Sequence, residues 1–250
     1  MEKDKRSSDC FTGVQELLAG VKDLLFPPVC HLCGLPLAMA DGLCSSCLET
    51  VSLLGSPLCP LCGKEMADSA GGDHLCGRCL QKKPPYSSAL GLAHYREPVT
   101  TLLHRLKYQG DTSVLVPLGK IIGSAPPVSL MSGDRVIPVP LHIRRLRKRG
   151  FNQALLLARL FFPTSRECIL VDTLQRIRHT KPQTGLDGTA RRKNLHKAFA
   201  VHDPAGLRRR RIILVDDVYT TGTTVSECSR ALLAAGAGEV HVLTLARVEK

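Results

Sequence analysis

Four Cys-x-x-Cys pairs packed into one short stretch constrain this 250-residue chain more than anything else in it: Cys30/Cys33, Cys44/Cys47, Cys59/Cys62 and Cys76/Cys79. A thiolate pair at this spacing takes two corners of a tetrahedron and a second pair supplies the rest, which suits metal knuckles better than a disulfide framework. The segment also repeats itself. Cys-His-Leu-Cys-Gly at 30–34 and Leu-Cys-Ser-Ser-Cys-Leu at 43–48 return as Cys-Pro-Leu-Cys-Gly at 59–63 and Leu-Cys-Gly-Arg-Cys-Leu at 75–80. The repeat favours sequential pairing, with Cys30, Cys33, Cys44 and Cys47 on one zinc ion and Cys59, Cys62, Cys76 and Cys79 on a second. An interleaved cross-brace stays open. Gly34 and Gly63 mark tight turns that aim backbone amides at sulfur. Closed all-thiolate sites read first as structural and second as a surface for DNA or a protein partner. His31 and His74 are bystanders, and Cys10, Cys168 and Cys228 read as small apolar residues.

Lys and Arg outnumber Asp and Glu by 34 to 22, a net charge of +12 that points to phosphates, nucleotides or nucleic acid. Aromatic content is only 4%, with no Trp, which gives no composition for base stacking. The charged N-terminus carries no export signal and no run is long enough to span a membrane, so a cytoplasmic location is expected. Residues 11–26 have helical apolar spacing, and Pro27 and Pro28 stop it. Residues 1–28 are therefore expected to form an amphipathic helix that packs on the protein body, ahead of a double zinc ribbon at 29–83.

Beyond the stiff Lys82-Lys83-Pro84-Pro85 linker, residues 86–250 alternate between strand and helix patterns. Strands are expected at 89–95, 135–139, 169–174, 212–215 and 240–246. Helices are expected at 99–108, 113–122, 152–162 and 225–235, with a long polar stretch at 175–197. This order predicts an α/β domain with a parallel sheet and helices on both faces, and ligands at the carboxyl ends of its strands.

One such end carries the best motif. The apolar run Ile212 to Val215 delivers Asp216 and Asp217. Val218, Tyr219, Thr220, Thr221, Gly222, Thr223 and Thr224 follow, and a helix opens. A helix N-terminus offers unpaired N–H groups and positive partial charge to a phosphate, and the threonines add hydroxyls. The aspartates suit sugar hydroxyls or a metal-bound sugar phosphate. A bare helix cap would not call for two acids after an apolar strand, and neither a Walker loop nor a dinucleotide turn is present.

The Asp216–Thr224 string resembles the motif by which type I phosphoribosyltransferases bind 5-phosphoribosyl-1-pyrophosphate (PRPP). That resemblance implies that Asp216 and Asp217 hold the ribose hydroxyls, with Thr220 to Thr224 around the 5′-phosphate. Thr223 stands where many members have a second glycine. Leu106-Lys107-Tyr108-Gln109-Gly110, Ile137-Pro138-Val139-Pro140-Leu141 and Arg149-Gly150-Phe151-Asn152-Gln153 look like the ComF (ComFC) competence family. So do the segment from Arg178-His179-Thr180-Lys181-Pro182-Gln183 to Phe199 and the cysteine-rich head. The resemblance implies PRPP binding with Mg²⁺ and a function in DNA uptake, through internalised single-stranded DNA and uptake-machinery proteins. Pyrophosphate would then be met by Arg144, Arg147, Lys148 and Arg149, and by Lys181, Arg191, Arg192 and Lys193 on a lid. Two functions compete: phosphoribosyl transfer to a nucleobase or amine, and non-catalytic handling of single-stranded DNA. The run 208–211 precedes a strand, away from this site, and reads as a solvated or DNA-facing patch.

Overall fold

A computed structural model describes residues 27–67, 72–126, 128–178, 195 and 197–249. The helix expected at 11–26, and Lys181, Arg191, Arg192 and Lys193 of the expected lid, lie outside these residues.

The head is two copies of one turn-and-helix unit. Each begins with a knuckle closed by backbone bonds, Cys30 N–H to Leu35 O (2.8 Å) and Cys59 N–H to Lys64 O (2.8 Å). Each ends in a five-residue helix, α1 (Ser45–Glu49) or α2 (Gly77–Gln81). Four parallel strands follow in the body: β1 (Ser88–His94), β2 (Arg135–Pro138), β5 (Arg211–Tyr219) and β6 (Glu239–Arg247), in spatial order β1-β6-β5-β2. A small antiparallel pair, β3 (Leu174–Arg176) with β4 (Phe199–Val201), stands apart. The helices are α3 (Val99–His104), α4 (Leu115–Ser124), α5 (Ile143–Arg149), α6 (Gln153–Phe161) and α7 (Thr223–Ala234).

Strand β5 is apolar on both sides because both faces of the sheet are covered. Ile213 and Val215 pack into a core with Leu102, Leu106, Leu118, Ile121 and Leu157. Ile212 and Leu214 pack into the other, with Val225, Cys228 and Leu232. Each such leucine contributes about 1.5–3 kcal/mol by leaving water. The head is joined to this body: Leu54 N–H donates to Leu92 O (2.9 Å) and His94 N–H to Ser52 O (2.8 Å), which sets residues 52–54 antiparallel beside β1.

Three elements depart from the sequence reading. The expected strand 169–174 is a single bridge, Ile169 beside Val136, after which the chain turns away; ladder pairing resumes only in β3. The expected helix 99–108 becomes a π turn over Arg105–Gln109, closed by Gly110 in the left-handed region. Such π insertions cluster at functional sites. Strand β5 runs past Val215 to Tyr219, because β6 keeps pairing with it as far as Arg247. The acid pair therefore lies inside the sheet rather than in a loop beyond it.

Candidate functional site

Asp216 and Asp217 are both more than nine-tenths buried near the carboxyl end of β5. The Asp217 N–H donates to Asp216 Oδ1 at 2.9 Å. The π turn directs Lys107 inward, where its ammonium pairs with Asp217 Oδ2. Burial works against charge on both acids, and their fates diverge. At Asp216, burial and the neighbouring Asp217 charge together push the pKa well above the usual carboxylate range. At Asp217 burial is outweighed by Lys107, and the pKa falls. Lys107 is held charged in return: burial opposes its charge, and the attraction of Asp217 overcomes it. The pair thus sets two carboxyls of unequal proton affinity side by side, Asp216 the readier to hold a proton and Asp217 the readier to stay ionised, which suits two adjacent hydroxyls.

The loop after the strand is built on Tyr219. Gly222, at φ +74°, caps α7, and a Cβ there would lie 2.3 Å from the Tyr219 hydroxyl oxygen. Only glycine lets the peptide rest on that ring. Thr221 and Thr223 bond through their hydroxyls at 2.8 Å. Val218, Thr220 and Thr224 are half-buried alongside. The Tyr219 hydroxyl meets that of Tyr86 at 2.6 Å and accepts from Arg78 at 3.0 Å. Burial pushes the Tyr86 hydroxyl's pKa up, so it stays protonated.

Of the basic candidates, Arg149 comes to the site and Arg144 stays exposed at the start of α5. Arg149 donates to Gln153 Oε1. Burial lowers its pKa while the charge of Asp217 pulls the other way, which places it in the field of the acids. The turn is fixed by Gly150 in the left-handed region and by Asn152, whose Nδ2 donates to Val139 O (3.1 Å) and whose Oδ1 caps Ala154 N–H (3.0 Å). Arg147 and Lys148 point to solvent. The run 208–211 lies at the opposite end of β5, where Arg211 pairs with buried Asp134. Two site residues escaped the sequence reading as such. Lys107 sits in a quoted motif but was given no role. Arg176 is buried within electrostatic reach of Asp216, with its pKa lowered to about 10 by burial and by Arg145 against the pull of Asp216, and nothing in its sequence neighbourhood marks it.

The eight paired cysteines form two clusters in sequential order, Cys30/Cys33/Cys44/Cys47 and Cys59/Cys62/Cys76/Cys79, with the sulfurs of each set within 4.8 Å of one another. Cys33 and Cys44 sulfurs are 3.8 Å apart and those of Cys62 and Cys76 3.7 Å. A tetrahedron with zinc–sulfur bonds of about 2.3 Å has edges of about 3.8 Å, so the residues fit zinc. In both clusters the first thiol opposes burial with backbone amides and its pKa falls to about 6, Cys30 facing the amides of Cys33 and Cys44, Cys59 those of Cys76 and Cys62. Among the described residues no helix is long and apolar enough to cross a membrane.

Comparison with known proteins agrees with both halves. Residues 21–80 match the double zinc ribbon domain and residues 146–250 the phosphoribosyl transferase domain. The chain is 38% identical over 234 residues to the DNA utilization protein YhgH of Escherichia coli O157:H7, covering 90% of this chain and 99% of that one. It is 35% identical to Competence protein F of Haemophilus influenzae, over 83% of this chain and 91% of the relative. It is 30% identical to Competence protein ComFC of Bacillus subtilis, over 61% of each. Two four-cysteine clusters, a parallel sheet with an acid pair at the head of a threonine loop, and 35–38% identity over nine-tenths or more of the first two relatives place the chain in the ComF (ComFC) competence family.

Proposed function

We propose that this chain binds PRPP, presented with Mg²⁺, along Asp216–Thr224, and transfers its phosphoribosyl group to a nucleobase or amine. The observation that carries this reading is the buried acid pair, one member paired with Lys107, near the end of a buried parallel strand, followed at once by a threonine loop that opens α7. Asp217 accepts from one ribose hydroxyl while Asp216 hydrogen-bonds its neighbour. The amides and hydroxyls of Thr220 to Thr224 hold the 5′-phosphate at the start of α7. Arg149 meets the pyrophosphate, with Arg144, Lys181, Arg191 and Lys193 as further partners. Mg²⁺ arriving with the substrate supplies charge neutralisation for the leaving group. Positioning and neutralisation are what an oxocarbenium-like displacement needs. The same proposal treats 29–83 as a double zinc ribbon holding two structural zinc ions, 86–250 as the catalytic unit and the protein as cytoplasmic.

Isothermal titration of the zinc-loaded chain with PRPP, with and without Mg²⁺, tests it. Saturable, Mg²⁺-dependent binding is expected in the wild type. Asp216→Ala with Asp217→Ala should abolish it. Because that variant strands Lys107 as an uncompensated buried charge, Lys107→Met with Asp217→Asn serves as a neutral companion that should fold and also fail to bind. Wild-type protein that takes up no PRPP, or either variant binding as the wild type does, overturns the reading.

A second reading is that the protein handles single-stranded DNA with uptake-machinery partners and keeps the PRPP site as a regulatory one. The net charge of +12 favours it, as do the names of the DNA utilization and competence relatives. It predicts DNA binding that weakens steeply with salt and is indifferent to PRPP turnover.

A further inference from the structure

The second cysteine repeat reaches the phosphate loop through two arginines. Arg78 lies in α2, one residue before Cys79. Its Nη2 donates to the Tyr219 hydroxyl (3.0 Å) and its Nη1 to the Thr221 carbonyl (3.3 Å). Arg247, the last residue of β6, lies over the Tyr219 ring, 4.4 Å from its centroid. The same guanidinium donates to the Cys62 carbonyl and approaches the Cys62 sulfur at 3.7 Å. Tyr219 in turn is the surface on which the Gly222 peptide rests. A continuous path of contacts therefore runs from a cluster sulfur to the first turn of α7: Cys62, Arg247, Tyr219, Gly222, with Arg78 closing it from the other side. The polar ties of the first repeat go elsewhere, to Arg105 and Lys120.

The physical consequence follows from how such clusters fold. A cysteine knuckle owes its conformation to its metal, and losing the metal releases the backbone around it. At the second cluster that backbone includes α2, which carries Arg78, and the Cys62 carbonyl, which holds Arg247. Release of both arginines leaves Tyr219 held by Tyr86 and its own strand, and the glycine peptide above it without a fixed support.

We propose that Arg78 and Arg247 are positioning residues for the phosphate loop, so that an intact second cluster fixes Tyr219 and Gly222 in the conformation that receives the phosphate of PRPP. The ligand named here rests on the PRPP reading; the ordering of the loop does not. Arg247 acts through Tyr219, and Arg78 acts through Tyr219 and through the Thr221 carbonyl. Among the described residues the polar ties of the first repeat named above reach α4 and the π turn rather than 219–224.

Hydrogen–deuterium exchange of the zinc-loaded, ligand-free full chain is the test, with Arg78→Met, Arg78→Lys and Tyr219→Phe against Lys120→Met as a control at the first repeat. Losing hydrogen bonds of ordinary strength in Arg78→Met and Tyr219→Phe should speed exchange across 219–224 by roughly tenfold. Residues 30–47 should not change, and zinc content should stay at the wild-type value. Arg78→Lys keeps the charge but not the two-pronged reach, and should recover part of the protection. Lys120→Met should leave 219–224 as in the wild type. Unchanged exchange at 219–224 in Arg78→Met overturns the proposal, and so does a uniform rise along the whole chain. PRPP titration of the same variants separates the two readings. If the wild type binds, affinity should fall about tenfold in Arg78→Met. If the wild type does not bind while the loop still loosens, the PRPP reading fails and the positioning by the second repeat stands.

Discussion

The two cysteine repeats are near copies in sequence and local structure, and they do different work. Each has a knuckle closed by the same backbone bonds, a glycine at positive φ (Gly34 at +75°, Gly63 at +66°), and a five-residue helix after the third cysteine. Their settings diverge. The first leaves Cys33 exposed and packs against α4 and the π turn, with Arg105 donating to the His31 carbonyl at 3.0 Å. The second buries all four cysteines and lies against β1, β6 and the threonine loop. A repeat therefore specifies a turn and a metal cage. Which neighbour it braces is written in the residues between the cysteines, such as Arg78 in α2 where the first repeat has Ser46.

The matched glycines give the largest contrast. At Gly34 an added Cβ meets nothing within 4 Å, so alanine there suffers only the left-handed backbone, a cost of about 1–2 kcal/mol. At Gly63 the same Cβ would stand 2.3 Å from the Ala89 carbonyl oxygen in β1. The backbone must shift as well, which adds about 1–3 kcal/mol of overpacking. Gly63→Ala should lower the melting temperature by roughly twice as much as Gly34→Ala, at about 2–4 °C per kcal/mol, and should reduce zinc content where Gly34→Ala does not. Equal shifts in the two variants would mean that the second repeat docks more loosely on β1 than its geometry implies.

The same contrast explains what could be read from the chain in advance. The cysteine spacing and its repeat foretold two clusters and their order, since metal geometry is local. The alternation of patterns foretold the parallel sheet, and the run 212–224 foretold a strand that passes through a threonine loop into a helix, since period and turn chemistry are local too. Lys107 was out of reach because its partnership with Asp217 spans the fold and depends on a π turn that no local pattern announced. Arg176 was missed because a buried arginine looks like any surface one until the sheet closes over it. The strand expected at 169–174 failed for the converse reason: Ile169 and Leu170 are apolar enough, yet both meet β2 at Val136 alone, in one bridge that does not extend into a ladder.

The first repeat's hold on the body is tested at Lys120. Its ammonium donates to Asp41 Oδ2 and to the Leu43 carbonyl, both at 2.9 Å, and joins α4 to the loop before α1. It is one half-exposed charge with two partners, so Lys120→Met should cost about 1 kcal/mol, a few degrees of melting temperature, with PRPP affinity unchanged. A marked loss of affinity would show that the first repeat also reaches the site, through the π turn that carries Lys107, and the division of labour between the repeats would fall.

The smallest effect is expected where the second repeat's charge contacts are most numerous. Glu65 lies beside His94 at 3.1 Å, Glu249 approaches the other ring nitrogen, and Glu65 Oε1 also accepts from Gly55 N–H at 3.1 Å. Glu65 and Glu249 are open to solvent, and exposed ion pairs contribute about 0–1 kcal/mol. Glu65→Gln keeps an acceptor for Gly55, so its melting temperature should move by between about 0 and 4 °C, and exchange at 219–224 should not change. Arg247 is the contrasting case, buried at 7% exposure with a carbonyl, a sulfur and an aromatic face around one guanidinium. If Glu65→Gln instead destabilises as much as Gly63→Ala, the carboxylates around His94 hold the second repeat in place, and the arginines only follow.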